Sequence, residues 1–202
     1  MITIINYDMG NLGSLVNILK RIGVKSIVTN LPEEIDRADK IILPGVGAFD
    51  TAIKKLNGIK GMRNVLERKA KIQKVPILGI CLGMQLMTLK SEEGNLDGLG
   101  WIKGKTCKFP KSKNHKIPHM GWNTVRKLLD DKISIDMTNK FKFYFVHSYY
   151  VKVFNNKNSF LKTNYNVEFD SGIFDKNIYG VQFHPEKSHS FGMQLLKNFS
   201  KL

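Results

Sequence analysis

The run Val75-Pro76-Ile77-Leu78-Gly79-Ile80 is almost wholly apolar, stops at Cys81, and passes without a spacer into the helical pattern of Leu82-Gly83-Met84-Gln85-Leu86. A continuous apolar strand of this kind belongs to a sheet covered on both faces. With a helix starting at the next residue, the chain must reverse on a very tight turn. Glycines two residues before and two residues after Cys81 suit such a turn, because positions without a Cβ let strand and helix approach closely. Gly79-Ile80-Cys81-Leu82-Gly83 is therefore the cysteine version of the G-x-S-x-G nucleophile elbow. A helix starting at Leu82 directs unpaired N–H groups at the sulfur and favours the thiolate. The alternative is a small buried cysteine in a core.

The rest of the first half repeats the strand-then-helix theme. Ile2-Thr3-Ile4-Ile5-Asn6 reads as a buried strand, Asn11 as a helix cap, and Leu12, Leu15, Leu19 and Ile22 as one helical face ended by Gly23. A second strand is expected at Lys25 to Val28, a helix start at Pro32, and a third strand from Asp39 to Leu43 that stops at Pro44-Gly45-Val46-Gly47. Residues 49 to 74 carry helical signals broken by Gly58 and Gly61, and the helical pattern after Cys81 extends to Gly94. A doubly wound α/β sheet follows, with functional loops at the strand ends. From Gly98 to about Phe183 the signals change to short strands, at 105–109, 142–153, 159–163 and 177–183, which predicts an added β-rich region. Phe191, Leu195, Leu196 and Phe199 predict a C-terminal helix. At 202 residues, one domain spanning 1–202 is the simplest organisation.

Two cysteines, Cys81 and Cys107, in unrelated contexts suggest neither a disulfide framework nor a cysteine zinc site. No apolar run reaches the roughly 18 to 20 residues of a membrane span, and Met1 to Gly10 lacks a signal-peptide pattern, so a cytoplasmic protein with no membrane partner is expected. The net charge of +15 admits a nucleic-acid patch, for which Lys103 to Lys116 is the densest stretch. No nucleic-acid module accompanies those lysines, which favours a solvated surface and no nucleic-acid partner.

A cysteine nucleophile needs an imidazole and a group to orient it. Of the five histidines, His115 and His189 read as solvated, and His119 and His147 sit among aromatics where a core or substrate-wall role fits. His184 follows an apolar strand in Gly180-Val181-Gln182-Phe183-His184-Pro185-Glu186. In an extended segment residues i and i+2 share a side, so Glu186 can hold one ring nitrogen while the other faces Cys81. Attack on an amide also needs oxyanion donors. The Leu82 N–H is one by the elbow geometry, and the Val46 or Gly47 amide could be the second.

With these elements in place, the chain closely resembles the class I (triad) glutamine amidotransferases, and within them the glutaminase subunit of imidazole glycerol phosphate synthase. The ordered motifs are NYDMGNL at 6–12, PGVGAF at 44–49, GICLGMQ at 79–85, GLGW at 98–101, IPHMGWN at 117–123, FVHSY at 145–149 and GVQFHPEKS at 180–188. The resemblance implies a flavodoxin-like α/β fold, a mixed sheet flanked by helices, with Cys81, His184 and Glu186 as the triad. It implies that Gly47, Gln85 and the backbone of His147, Ser148 and Tyr149 contact glutamine. It also implies a cysteinyl thioester intermediate and no metal or organic cofactor. The implied partner is a (β/α)8 cyclase that receives the ammonia for histidine biosynthesis, with Asn11 and Lys187 at the interface. Trp101, where the family pattern has an aliphatic residue, and the high positive charge depart from that pattern. They leave open a divergent branch that feeds a cyclase-like partner making amidine-bearing surface sugars.

Overall fold

A computed structural model describes residues 1–137 and 141–202. The first half alternates β1 (Ile2–Ile5), α1 (Leu12–Arg21), β2 (Ser26–Thr29), α2 (Pro32–Asp36), β3 (Ile41–Leu43), α3 (Phe49–Gly58), α4 (Met62–Glu67), β4 (Ile77–Ile80) and α5 (Leu82–Leu86). After these come β5 (Lys90–Ser91), β6 (Gly104–Lys108), β7 (His119–Lys127), β8 (Phe141–His147), β9 (Tyr149–Val153), β10 (Ser159–Tyr165), β11 (Val167–Asp175), β12 (Ile178–Val181) and α6 (His189–Ser200).

The strands form one mixed sheet in the order β2-β1-β3-β4-β12-β11-β10-β7-β8, with β6 and β9 attached through β11. β2, β1, β3, β4 and β12 run parallel. From β12 outward the pairing is antiparallel. The apolar strands bury both faces, as their unbroken hydrophobicity requires. Ile2, Ile4, Ile42, Leu78 and Ile80 meet α1 and α6 through Leu15, Leu19, Leu195, Leu196 and Phe199, whereas Ile5, Ile41, Leu43 and Ile77 meet α3 and α4. Asn11 caps α1 as expected, its side chain accepting from the Ser14 N–H at 3.2 Å.

Two of the expected elements are corrected, and two strands are added. The helix after Cys81 ends at Leu86, not near Gly94. Its last carbonyls are taken by a distant segment: the Leu99 N–H donates to Leu86 at 2.7 Å, and the Trp101 and Ile102 N–H groups donate to Met87 at 2.9 and 3.0 Å. Local periodicity cannot register that competition. The segment read as one strand over 142–153 breaks at Ser148, where the chain leaves β7 for β6 and β11. Strands β7 and β11 went unread because Gly121, Asn123, Glu168, Asp170 and Gly172 hide their alternation.

Trp101 has a specific partner, its indole N–H donating to Glu67 Oε1 at 2.8 Å. Most lysines between 103 and 116 face solvent, as a solvated surface requires. His115 is not fully solvated; it is half-buried with its ring edge-on to Tyr165.

The elbow glycines have a measurable reason. A Cβ on Gly83 would lie 1.9 Å from the Leu43 carbonyl oxygen, and one on Gly79 would lie 2.8 Å from the Gly83 backbone. Gly83→Ala is expected to cost at least about 3 kcal/mol, because the obstacle is backbone. Gly13→Ala meets nothing within 4 Å and lies in α1, so it should stabilise by about 0.5–1 kcal/mol. Paired thermal melts check both signs.

Candidate active site

The turn between β4 and α5 places Cys81 at φ 53°, ψ −108°, a strained backbone for a residue with a side chain. Its N–H is tied to the Val181 carbonyl at 2.8 Å, so the parallel pairing of β4 with β12 fixes where the sulfur emerges. Strand β12 runs on through Gln182 and Phe183 to His184, which is how residues a hundred positions apart converge.

His184 Nδ1 donates to Glu186 Oε1 at 2.7 Å, and both side chains are buried. The pairing agrees with the i, i+2 expectation, but the geometry does not: Pro185 to Lys187 form a 3-10 turn, not an extended segment. That turn is hung on β8. The His184 N–H donates to the Tyr144 carbonyl at 2.9 Å, the Ser188 hydroxyl donates to the His184 carbonyl at 2.6 Å, and the Tyr144 N–H donates to Ser188 Oγ at 3.0 Å. Helix α6 presses against the turn at Gly192, where a Cβ would lie 1.8 Å from the Pro185 carbonyl oxygen.

With Nδ1 committed to Glu186, Nε2 of His184 is the nitrogen left for Cys81. Nε2 is buried and makes no aligned hydrogen bond. The sulfur is nevertheless close enough to act on the ring. Burial alone would lower the His184 pKa, but hydrogen bonding to Cys81 and Glu186, together with their negative charges, outweighs it and pushes the value up to about 10. His184 is therefore held as an imidazolium at neutral pH.

In front of Cys81 opens a cavity of about 310 Å³, lined by Val46, Gly47, Leu82, Gln85, Glu93, Pro118 and the segment Val146 to Tyr149. That volume lies in the roughly 300–1,000 Å³ range of small-molecule sites. Gly47 sits at φ 108°. The Leu82 N–H donates to the Gly45 carbonyl at 3.3 Å, so in this structure a backbone oxygen of the Pro44–Gly47 loop already occupies that donor. Gly45 can lie this close because a Cβ there would meet Leu82 at 2.9 Å and the Tyr7 hydroxyl at 2.7 Å. A strained cysteine on an elbow, a buried carboxylate–imidazole pair behind it and a cavity in front can perform nucleophilic attack on a small carbonyl compound.

Residues 3–202 match the Glutamine amidotransferase class-I family. The chain belongs to that family. It is 52% identical over 201 residues to the imidazole glycerol phosphate synthase subunit HisH 2 of Methanococcus maripaludis, covering 100% of this chain and 99% of the relative. It is 44% identical to the HisH 2 subunit of Pseudomonas aeruginosa, with 100% of each chain covered. Among solved structures, a glutamine amidotransferase from Thermotoga maritima superposes with a TM-score of 0.65 at 17% identity, over 99% of this chain and 81% of that one. This last similarity concerns the fold alone.

In this amidotransferase the residues named from sequence divide into three groups. Val46, Gly47, Cys81, Leu82, Gln85, His147, Ser148 and Tyr149 all line the cavity. His184 and Glu186 stand behind Cys81. Asn11 and Lys187 lie outside the cavity, on the exposed side where α1 and the Pro185–Lys187 turn pack together, with the Lys187 ammonium 5.7 Å from the centre of the Tyr144 ring. Sequence reading missed Glu93, whose Oε2 accepts from the Phe49 N–H at 3.0 Å while the side chain borders the cavity. It also left Gln182 unassigned, though the motif GVQFHPEKS contains it. No helix among the described residues is long and apolar enough to cross a membrane.

The His184 titration is open to measurement. Its pKa is raised above the ordinary 6.5, so the pair's contribution to stability is fully present below about 6.5 and is lost as pH rises through about 10. Imidazole NMR should show His184 titrating near 10, and Glu186→Gln should move that titration down by removing one of the two anions. An unchanged titration in Glu186→Gln would contradict the assignment.

Proposed function

We propose that this chain is the glutaminase subunit of an imidazole glycerol phosphate synthase, releasing ammonia from glutamine for a partner cyclase. The observation that carries the proposal is the convergence of Cys81, the buried His184–Glu186 pair and the cavity on the end of β4. The full-length relatives at 52 and 44% identity, both named as HisH subunits, support the pathway. They do not favour the alternative recipient in surface-sugar synthesis.

The chemistry follows from the geometry. The Cys81 thiolate attacks the carboxamide carbon of glutamine, and the carbonyl oxygen becomes an oxyanion. His184 gives its Nε2 proton to the departing nitrogen, ammonia leaves, and a thioester remains on Sγ. A water molecule, deprotonated by His184, adds to the thioester; collapse expels the thiolate and yields glutamate. Glu186 holds the ring in one tautomer and stabilises its charged form throughout. Leu82 and Val46 supply the oxyanion donors in this reading. For the Leu82 N–H to serve, the Gly45 carbonyl must first withdraw from it, and the glycines at 45 and 47 give the loop the freedom to turn over. A resting subunit with that donor occupied turns over slowly until something moves the loop.

Glu93 favours free glutamine over a peptide. Its carboxylate complements an α-ammonium, which a residue inside a chain lacks. Gly47, Gln85 and the 147–149 backbone complete the glutamine contacts. The partner is a (β/α)8 cyclase subunit docked over Asn11 and Lys187.

In the complex with its cyclase, Cys81→Ala should lose glutamine hydrolysis by at least about 10³-fold, while glutamine still binds. Turnover surviving in that variant would end the proposal. Glu93→Gln is expected to raise KM for glutamine on the order of tenfold, the scale of one charge-assisted hydrogen bond, with kcat changed far less. A fall in kcat at constant KM would place Glu93 in another role.

A further inference from the structure

Gln182 is fully buried and takes no part in the triad, yet its carboxamide Nε2 lies 3.6 Å from Cys81 Sγ with donor geometry. As a thiol, the sulfur also donates to the Val146 carbonyl oxygen at 3.9 Å. His184 Nε2, the expected partner of the sulfur, meets no partner at full hydrogen-bond geometry, although it lies near enough for Cys81 to act on the ring.

The direction of the Gln182 amide is dictated from outside it. A backbone carbonyl can only accept, and the Tyr149 carbonyl accepts from Gln85 Nε2 at 3.0 Å. Gln85 must therefore present its NH₂ group on this side, and the same group reaches Gln182 Oε1 at 3.1 Å. With its oxygen so engaged, Gln182 has its own NH₂ group facing the sulfur. Half a turn of the Gln182 amide would set NH₂ against NH₂ and oxygen against sulfur, two uncompensated contacts in a buried site.

A second arm ends on the same carbonyl. His147 Nδ1 donates to the Tyr149 oxygen at 2.7 Å, which leaves Nε2 to accept from His119 Nδ1 at 2.9 Å. His119 Nε2 then accepts from Asn123 Nδ2 at 3.2 Å, whose NH₂ group also donates to the Asn164 carbonyl at 3.1 Å. Burial holds both rings neutral, pushing His147 down to about 3 and His119 to about 4, so each ring is one donor and one acceptor. Both arms donate to the Tyr149 carbonyl, which is the fixed point where they meet, and only the Gln85–Gln182 arm continues to the sulfur.

We propose that Gln182 is a further catalytic residue, a neutral donor that holds the Cys81 sulfur as a thiolate, oriented by the Gln85–Tyr149 contact. The proposal rests on Cys81 as nucleophile, and extends it. His184 can exchange its proton with substrate during the reaction; the Gln182 amide cannot, so it stabilises the thiolate between turnovers without taking part in proton transfer.

The test is alkylation of Cys81 in the full chain by iodoacetamide, followed at that residue by peptide mass spectrometry across pH. Gln182→Leu, which keeps bulk but has no donor, should slow alkylation at neutral pH by roughly tenfold or more and move the rate profile to higher pH. Gln182→Glu, close to isosteric but lacking the donor and carrying a negative charge, should slow it further. A purely packing role predicts no change in the profile of Gln182→Leu with a native melt, and that result would overturn the proposal. If neither variant folds, the wild type still decides: the Gln182 side-chain amide resonances should shift when Cys81 is alkylated, and unmoved resonances would rule the bond out. Failure of the nucleophile assignment looks different, as wild-type turnover that persists after Cys81 is fully alkylated.

Discussion

The approach of α5 to the end of β3 is the constraint on which the site depends. Gly83 faces the Leu43 carbonyl so closely that no side chain fits between them, and Gly79 is pressed by Gly83 in turn. This compression forces Cys81 to a positive φ, and the residue borders the cavity. It also brings the Pro44–Gly47 loop, which continues from β3, up to the Leu82 N–H. The strained cysteine and the loop that occupies its neighbouring donor are thus consequences of one packing contact.

Electrostatics then select what the elbow can do. A buried imidazole flanked by Cys81 and Glu186 stays charged far above its ordinary pKa, whereas His147 and His119, buried without a carboxylate, stay neutral far below it. Three histidines in one region serve opposite purposes because of their neighbours. The charged one has a proton to give. The neutral pair carries hydrogen-bond direction, which a charged ring with two donors could not do.

Strand β12 joins these two halves of the site. It pairs parallel with β4 on one edge and antiparallel with β11 on the other, at the boundary between the α/β portion and the β-rich addition. Gln182 and His184 leave its end on the side where Cys81 emerges, and the break at Ser148 brings Tyr149 to the same place. The β-rich addition is therefore part of the site: it supplies one wall of the cavity and the carbonyl that orients Gln85.

Much of this was legible in the chain because the signals are local. The apolar run into Cys81, its flanking glycines, the Asn11 cap and the nearness of His184 to Glu186 in sequence all report physics acting over a few residues. The order of the motifs carried the family. Other features were decided by contacts distant in sequence. Helix α5 stops at Leu86 because residues 99 to 102 take its carbonyls. Glu186 reaches His184 across a 3-10 turn that Tyr144, Ser188 and Gly192 hold in place. Glu93 borders the cavity and Gln182 touches the sulfur through placements that no spacing encodes. Sequence alone determined where the elbow cysteine and the His184–Glu186 pair stand in the chain, since the residue types at an elbow and an i, i+2 spacing are written locally. Tertiary structure decided whether the Leu82 donor is free and which way each amide and imidazole points, because those are set by carbonyls supplied from elsewhere in the fold.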